Sequence, residues 1–181
     1  MVRFHHQPFT YTSPWETVTS AVWQKYPNPL ASHVLTADVI ERTVDPDTGI
    51  LHTTRLFTKA GNMPKWGQSL FNIAPMAYII EHSTVDPTTK IMTTHTRNLS
   101  HTKLMLVVET QRIRPHPDKH HEWTIADTKA SVISNTAFAP LRGRVEEFGV
   151  SRFKENCIKS SQGLLRVIQR LTGKTDSTVF E

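Results

Sequence analysis

Cysteine is almost missing from this sequence: 181 residues contain a single one, Cys157. That count excludes an internal disulfide framework and any zinc site built from several thiolates. No apolar run approaches the ~20 residues that span a bilayer, and residues 1–13 lack the long apolar stretch of a secretory signal. The chain is therefore expected to be soluble and uncleaved. Asn98-Leu99-Ser100 fits the glycosylation pattern, but a chain without that signal is not expected to meet the machinery. Catalytic signatures are lacking too. No GxSxG, HExxH, GxGxxG or P-loop pattern occurs, and Cys157 falls in a helical stretch without the context of a nucleophile. The ten histidines, His95, His101 and His120-His121 among them, lack metal-ligand spacing and read as solvated or core residues. No metal or cofactor is expected.

What is present is the composition of one globular domain. Apolar residues make up 38%, charged residues 20%, and there are 11 prolines and 7 glycines, enough for a sizeable core without metal or cross-links. Only the ends look loose. The net charge of +5 suits an anionic partner: nucleic acid, an acidic lipid surface or a phosphate ligand. Lys and Arg are scattered along the chain, with no basic tail, RNA-binding aromatic signature or zinc-finger spacing, which weighs against nucleic acid.

Residues 2–11 alternate as an opening strand, and Ser13-Pro14-Trp15-Glu16 reads as a helix start, with Ser as cap and Glu completing a capping box. The spacing of Trp15, Val18, Ala21 and Val22 predicts a helix over 14–25, stopped by Pro27-Asn28-Pro29. Short Val, Ile and Thr-rich segments follow, at 33–44, 50–59, 77–85, 91–99, 105–114 and 122–135. Turn signals at Asp45-Pro46, Asp86-Pro87 and Pro115-His116-Pro117-Asp118 separate them, so they read as an antiparallel meander. Residues 60–75 are too many for a hairpin and are expected to be a loop, with room for a short helix. After Pro140 the helical period returns for about thirty residues through Leu141, Val145, Phe148, Phe153, Leu164, Ile168 and Leu171. Helix, antiparallel sheet and long final helix make an α+β plan in which the sheet can wrap a helix and leave a cavity.

On that final helix Val145, Gly149, Arg152, Asn156, Lys159, Gly163 and Val167 advance by fours and threes and share one face. The stripe either faces a cavity, with the glycines leaving room for a ligand, or simply meets solvent, as charged helix faces usually do. Lys25 and His33 bracket the Tyr26-Pro27-Asn28-Pro29 turn, and Lys59 ends the second long strand. Each has an ordinary structural reading alone; only convergence would give them a function. Gly61, Met63, Trp66, Leu70 and Phe71, beside Lys65, have the composition of a lid or membrane-touching loop, or of a connection whose aromatics cap the core.

The chain resembles the PRELI-like family over residues 1–171. The matching motifs are Trp23-Gln24-Lys25-Tyr26-Pro27-Asn28-Pro29 with His33-Val34-Leu35, and Arg55-Leu56 through Met63-Pro64-Lys65-Trp66. They continue with Val85-Asp86-Pro87, Met92-Thr93-Thr94 and Arg97-Asn98-Leu99 with His101, then Glu147-Phe148-Gly149 and Arg152-Phe153-Lys154-Glu155-Asn156. The resemblance implies a single lipid-transfer domain over 1–172 and a flexible tail over 173–181. Its fold would be a curved seven-stranded antiparallel sheet wrapping a lipid cavity, closed by the long C-terminal helix and similar to the steroid- and phosphatidylinositol-transfer folds.

The resemblance further implies a carrier of the mitochondrial intermembrane space, peripheral on anionic membranes and stabilised as a heterodimer by a small helical twin-CX9C protein. The YPNP turn with His33 looks most like the phosphatidic-acid carriers that supply cardiolipin synthesis. By matching positions the lipid phosphate falls among Lys25, His33, Lys59, Arg152, Asn156 and Lys159. Some relatives exchange Lys and Arg at positions 25 and 152, which keeps charge but alters bidentate geometry. Residues Gly61, Met63, Trp66, Leu70 and Phe71 would form the lid that opens at the membrane. The competing readings are phosphatidylserine transfer, a lipid-sensing module that never transfers its ligand, and an enzyme acting on an amphiphile in the same cavity.

Overall fold

The computed structural model describes residues 2–60, 76–137 and 139–173, together with the backbone of Thr178–Val179. The order is β1 (Val2–Tyr11), α1 (Trp15–Val22), a 3-10 turn (Pro29–Ala31), β2 (Val34–Val44), β3 (Leu51–Ala60), β4 (Met76–Asp86), β5 (Ile91–Asn98), β6 (Met105–Pro115), β7 (Thr124–Ser134), α2 (Ala139–Thr172) and β8 (Thr178–Val179). Each of the seven long strands lies where alternation and turn chemistry put it, within two residues. The eighth falls inside the expected tail, where Thr178 and Val179 pair with Tyr11 and Thr10.

The sheet order is β2-β3-β4-β5-β6-β7-β1-β8. Six strands form an antiparallel meander, and β1 returns to pair with β7 along its whole length. The turns rest on the residues that predicted them. Asp45 Oδ1 accepts the amides of Asp47 and Thr48 at 2.9 and 3.0 Å, and Asp86 Oδ1 accepts those of Thr88 and Thr89 at 2.9 and 3.2 Å. Such side-chain acceptors hold the chain reversed without a long loop. β2 is an edge strand that exposes Leu35, Val39, Ile40 and Val44. Two register shifts in its pairing with β3 distort the edge, a device that discourages pairing with another chain.

The first helix differs from its prediction at both ends. Its cap position falls on Pro14 and not on Ser13, whose carbonyl instead accepts the Thr124 hydroxyl at 2.8 Å. The Glu16 carboxylate accepts from Lys90 Nζ at 2.6 Å. The helix ends at Val22, before the prolines, where the Gln24 amide donates to the Ala21 carbonyl at 3.0 Å in a tightened last turn. Its inner face, Trp15, Val18, Ala21 and Val22, is buried as expected against Ile113, Ala126, Val167 and Ile168, and Trp15 Nε1 donates to the Ile113 carbonyl at 3.2 Å.

α2 crosses the sheet and touches it closely at glycines. A Cβ on Gly149 would run into the Met105 sulfur and Val132. A Cβ on Gly163 would run into the Asn28 amide, and Asn28 is itself held, buried, with its Oδ1 accepting the Leu30 amide at 3.0 Å. Gly163 thus seats the helix on the YPNP turn and makes no room for a ligand, as does Val167, which joins the core. Gly143, by contrast, borders open space. Gly163→Ala is expected to lower stability by about 1–3 kcal/mol through overpacking. Gly143→Ala should be neutral or stabilising by up to ~1 kcal/mol, because alanine is the better helix former. Thermal melts of the two variants check this contrast.

Candidate functional site

Between the concave face of the sheet and α2 lies a cavity of about 600 Å³, in the middle of the range for ligand pockets. Apolar walls come from Phe9, Phe57, Ile79, Val107, Phe148, Phe153 and Leu164. The pairing registers place polar groups side by side across its floor. Arg55 stands opposite Glu81, Glu81 opposite Thr96, Thr96 opposite Glu109, and Glu109 opposite Ala130. The adjacent inward row carries Thr53, Ser83, Thr94, Gln111 and Thr128. Gln111 donates to the Thr128 hydroxyl at 2.8 Å.

Arg55 and Glu81 are both buried, with guanidinium nitrogens 2.9 and 2.6 Å from the same carboxylate oxygen. The guanidinium also lies over the rings of Trp23 and Phe57, at 4.9 and 5.1 Å from their centroids. Sequence reasoning gave this pair no role. Arg55 carried a signal only as part of a family motif, and Glu81 sits at an inward position of a strand otherwise rich in apolar residues.

Of the predicted phosphate ligands, Lys25, His33, Lys59, Arg152 and Asn156 line the cavity. The helix stripe therefore faces the cavity along Val145, Gly149, Arg152 and Asn156 and leaves it beyond them. Lys159 is exposed and does not line the cavity, although its charge acts on His33. His33 is held below the usual imidazole range by burial first, then by the charges of Lys59, Lys159 and Arg152. Burial and the neighbouring cations thus disfavour the charged form of the ring. Arg152 is otherwise weakly engaged, 3.5 Å from exposed Glu155 and over the Phe148 ring at 5.6 Å. The expected lid residues Gly61, Met63, Trp66, Leu70 and Phe71 lie outside the described residues.

The mouth beside β5 and β6 is shaped by Asn98. Its Nδ2 donates to the carbonyls of Ser100 and Met105 at 2.8 and 2.9 Å, and its Oδ1 accepts the Val107 amide at 2.8 Å. These bonds fold the loop whose Ser100, His101 and Leu104 border the cavity. His101 there takes a left-handed φ of 61°. Among the described residues no cluster of three or more His, Cys, Asp or Glu side chains could hold a metal.

Cys157 also lines the cavity, and burial, aided by the charge of Glu109, pushes its thiol up to about 12. Such a thiol is poorly nucleophilic at neutral pH. The expectation is that iodoacetamide labels Cys157 of the folded chain at pH 8 roughly a thousandfold more slowly than the same chain in denaturant, following the loss of thiolate. Mass spectrometry of the labelled protein measures the ratio.

The profile of the PRELI-like family matches residues 16–174. The chain is 42% identical over 166 residues to "PRELI domain-containing protein 1, mitochondrial" of Gallus gallus, covering 91% of this chain and 75% of that protein. It is 41% identical to "Protein ups1 homolog" of Schizosaccharomyces pombe, covering 86% and 89%. With "Protein UPS1, mitochondrial" of Saccharomyces cerevisiae the identity is 36%, covering 94% and 95%. Among solved structures the Thermus thermophilus protein TTHA0849 superposes with a TM-score of 0.59 at 11% identity, covering 93% of this chain and 99% of that one. That likeness shows a shared fold.

Proposed function

This chain belongs to the PRELI-like family, and we propose that it carries phosphatidic acid between the outer and inner mitochondrial membranes, supplying cardiolipin synthesis without making or breaking a bond. In this reading it works in the intermembrane space, peripheral on membranes, as a heterodimer with a small twin-CX9C helical protein. The observation that carries the proposal is the cavity: an apolar enclosure with Lys25, His33, Lys59, Arg152 and Asn156 converging on it.

Exposing two acyl chains of ~16 carbons to water costs about 25 kcal/mol at ~0.8 kcal/mol per methylene, so unassisted transfer is slow. An enclosure lined by Phe9, Phe57, Ile79 and Leu164 shelters methylenes. A phosphomonoester, close to two negative charges near neutral pH, needs cations and donors wherever it is buried. Lys25, Lys59 and Arg152 supply the charge, and Asn156 and His33 the directed hydrogen bonds. Lys159, exposed on the same helix, contributes to the field at the rim and steers the headgroup inwards. The names of several relatives contain the word mitochondrial, which supports the compartment. In this reading Gly61, Met63, Trp66, Leu70 and Phe71, which lie outside the described residues, would serve as the lid and membrane contact.

A vesicle assay tests this reading with lipid identity checked at the acceptor. Unaltered phosphatidic acid should reach acceptor vesicles faster than phosphatidylserine. Altered lipid would indicate an enzyme, and retention on the protein a sensor. Lys25→Ala and Lys59→Ala should each reduce transfer at least tenfold, since losing one partner of a buried charge costs about 2–5 kcal/mol. Lys159→Ala, at an exposed position, should cost less than about 1 kcal/mol and act mainly at low ionic strength. Equal transfer by all three variants would remove the cavity from the mechanism.

A further inference from the structure

Among the charged groups that line the cavity and take no part in that reading is Glu109. Glu109 sits on β6 with its side chain on the concave floor, in the same row as Arg55 and Glu81. It is half-buried and lines the cavity. The two floor carboxyls differ in circumstance. Glu81 has the Arg55 guanidinium at 2.6 Å, whereas Glu109 makes no hydrogen bond or close ion pair among the described residues, and its neighbours act on it only through space. Lys25 from the turn after α1 and Lys59 from the end of β3 draw it towards the ionised form. Glu81 on β4 opposes them, and Cys157 faces it from α2 as an undissociated thiol. Thr96 and Ala130, its cross-strand neighbours, carry no charge.

The same two lysines are thus shared between Glu109 and the phosphate site. We propose that Glu109 is the resident counter-ion of the empty cavity and takes up a proton when an anionic headgroup enters, so that loading the carrier consumes a proton at this residue. This rests on the proposed phosphate site. Without ligand, an ionised Glu109 gives Lys25 and Lys59 a partner inside the cavity. A phosphate that takes those lysines withdraws their attraction and adds its own negative charge, while burial already raises the carboxyl above its usual range. Protonation is then the cheapest response, and the neutral acid can donate a hydrogen bond to the ligand.

The sign follows from linkage. Loading raises the pKa of Glu109 further, so affinity is greatest at low pH. It falls as pH rises from the empty-site pKa to the higher loaded-site pKa, by up to about tenfold per pH unit. Release is thereby favoured where the surroundings are less acidic, and capture where they are more acidic.

The test is calorimetric titration of the purified full chain and of Glu109→Gln with dioctanoyl phosphatidic acid, in buffers of different ionisation enthalpy, across pH 5 to 9. His33 and the lipid phosphate also exchange protons, but they do so in both proteins, so the difference belongs to Glu109. Wild type is expected to take up as much as about one proton more per lipid than E109Q, and E109Q should show the flatter affinity profile. Equal uptake by two folded, lipid-binding proteins would overturn the role of Glu109 and leave the carrier reading intact. If wild type binds no phosphatidic acid, the carrier reading fails and this one with it. Selective loss of phosphatidylserine binding in E109Q with unchanged proton uptake would also overturn the proposal, assigning the carboxylate to an ammonium. Should E109Q fail to fold, infrared difference spectra of wild type carrying carbon-13 glutamate decide: loading must convert a carboxylate band to a protonated carboxyl band, and an unchanged spectrum contradicts the inference.

Discussion

The structure depends on how closely one long helix can approach a sheet without closing onto it. Two of the closest approaches of α2 are at glycines fourteen residues apart, Gly149 against Met105 and Val132 and Gly163 against Asn28, a span of about 21 Å. Between these seats Arg152 and Asn156 border the cavity half-buried, while Phe153 and Cys157 line it from within the core. The cavity of about 600 Å³ is open to solvent and lined by polar as well as apolar side chains, so water or a ligand can fill it and no empty void has to be sustained.

The floor shows how charge can be placed in such an enclosure. Arg55 and Glu81 satisfy each other, and the aromatic faces of Trp23 and Phe57 cover the guanidinium. Breaking a pair of this kind costs several kcal/mol because it strands a buried charge, so these two residues are fixed furniture. Lys25 and Lys59 act on Glu109 through space, the looser arrangement that the proposed exchange of partners requires. The contrast separates structural charge from charge that can respond to a ligand.

Much of this was legible in the residues. Period-two alternation and Asx turns located every long strand, and period 3.6 located α2, because each signal comes from one face meeting one core. The capping motif places the helix start one residue early: the cap position falls on Pro14, and the Ser13 carbonyl and the Glu16 carboxylate meet Thr124 and Lys90. The stripe on α2 was read as one surface, yet Gly163 and Val167 serve packing and Lys159 faces outwards, since a straight helix cannot follow a finite cavity along its whole length. The convergence of Lys25, His33 and Lys59 is visible only through the family resemblance: the pairing of β2 with β3 sets His33 beside Lys59, the turn after α1 brings Lys25, and no local pattern encodes that. Glu109 was overlooked although alternation through Met105, Val107, Glu109, Gln111 and Ile113 puts it inward. An inward carboxylate in an apolar strand is the signal that should be sought.

Transfer by this chain requires that the cavity hold an intact phospholipid. Native mass spectrometry of the full chain, after incubation with vesicles of mixed headgroups and removal of the vesicles, measures this directly. The expected spectrum contains protein with one bound glycerophospholipid whose released mass is that of unaltered phosphatidic acid, enriched over its share of the vesicles. Protein that emerges empty, or that carries only fatty acid or a hydrolysed headgroup, would contradict the account.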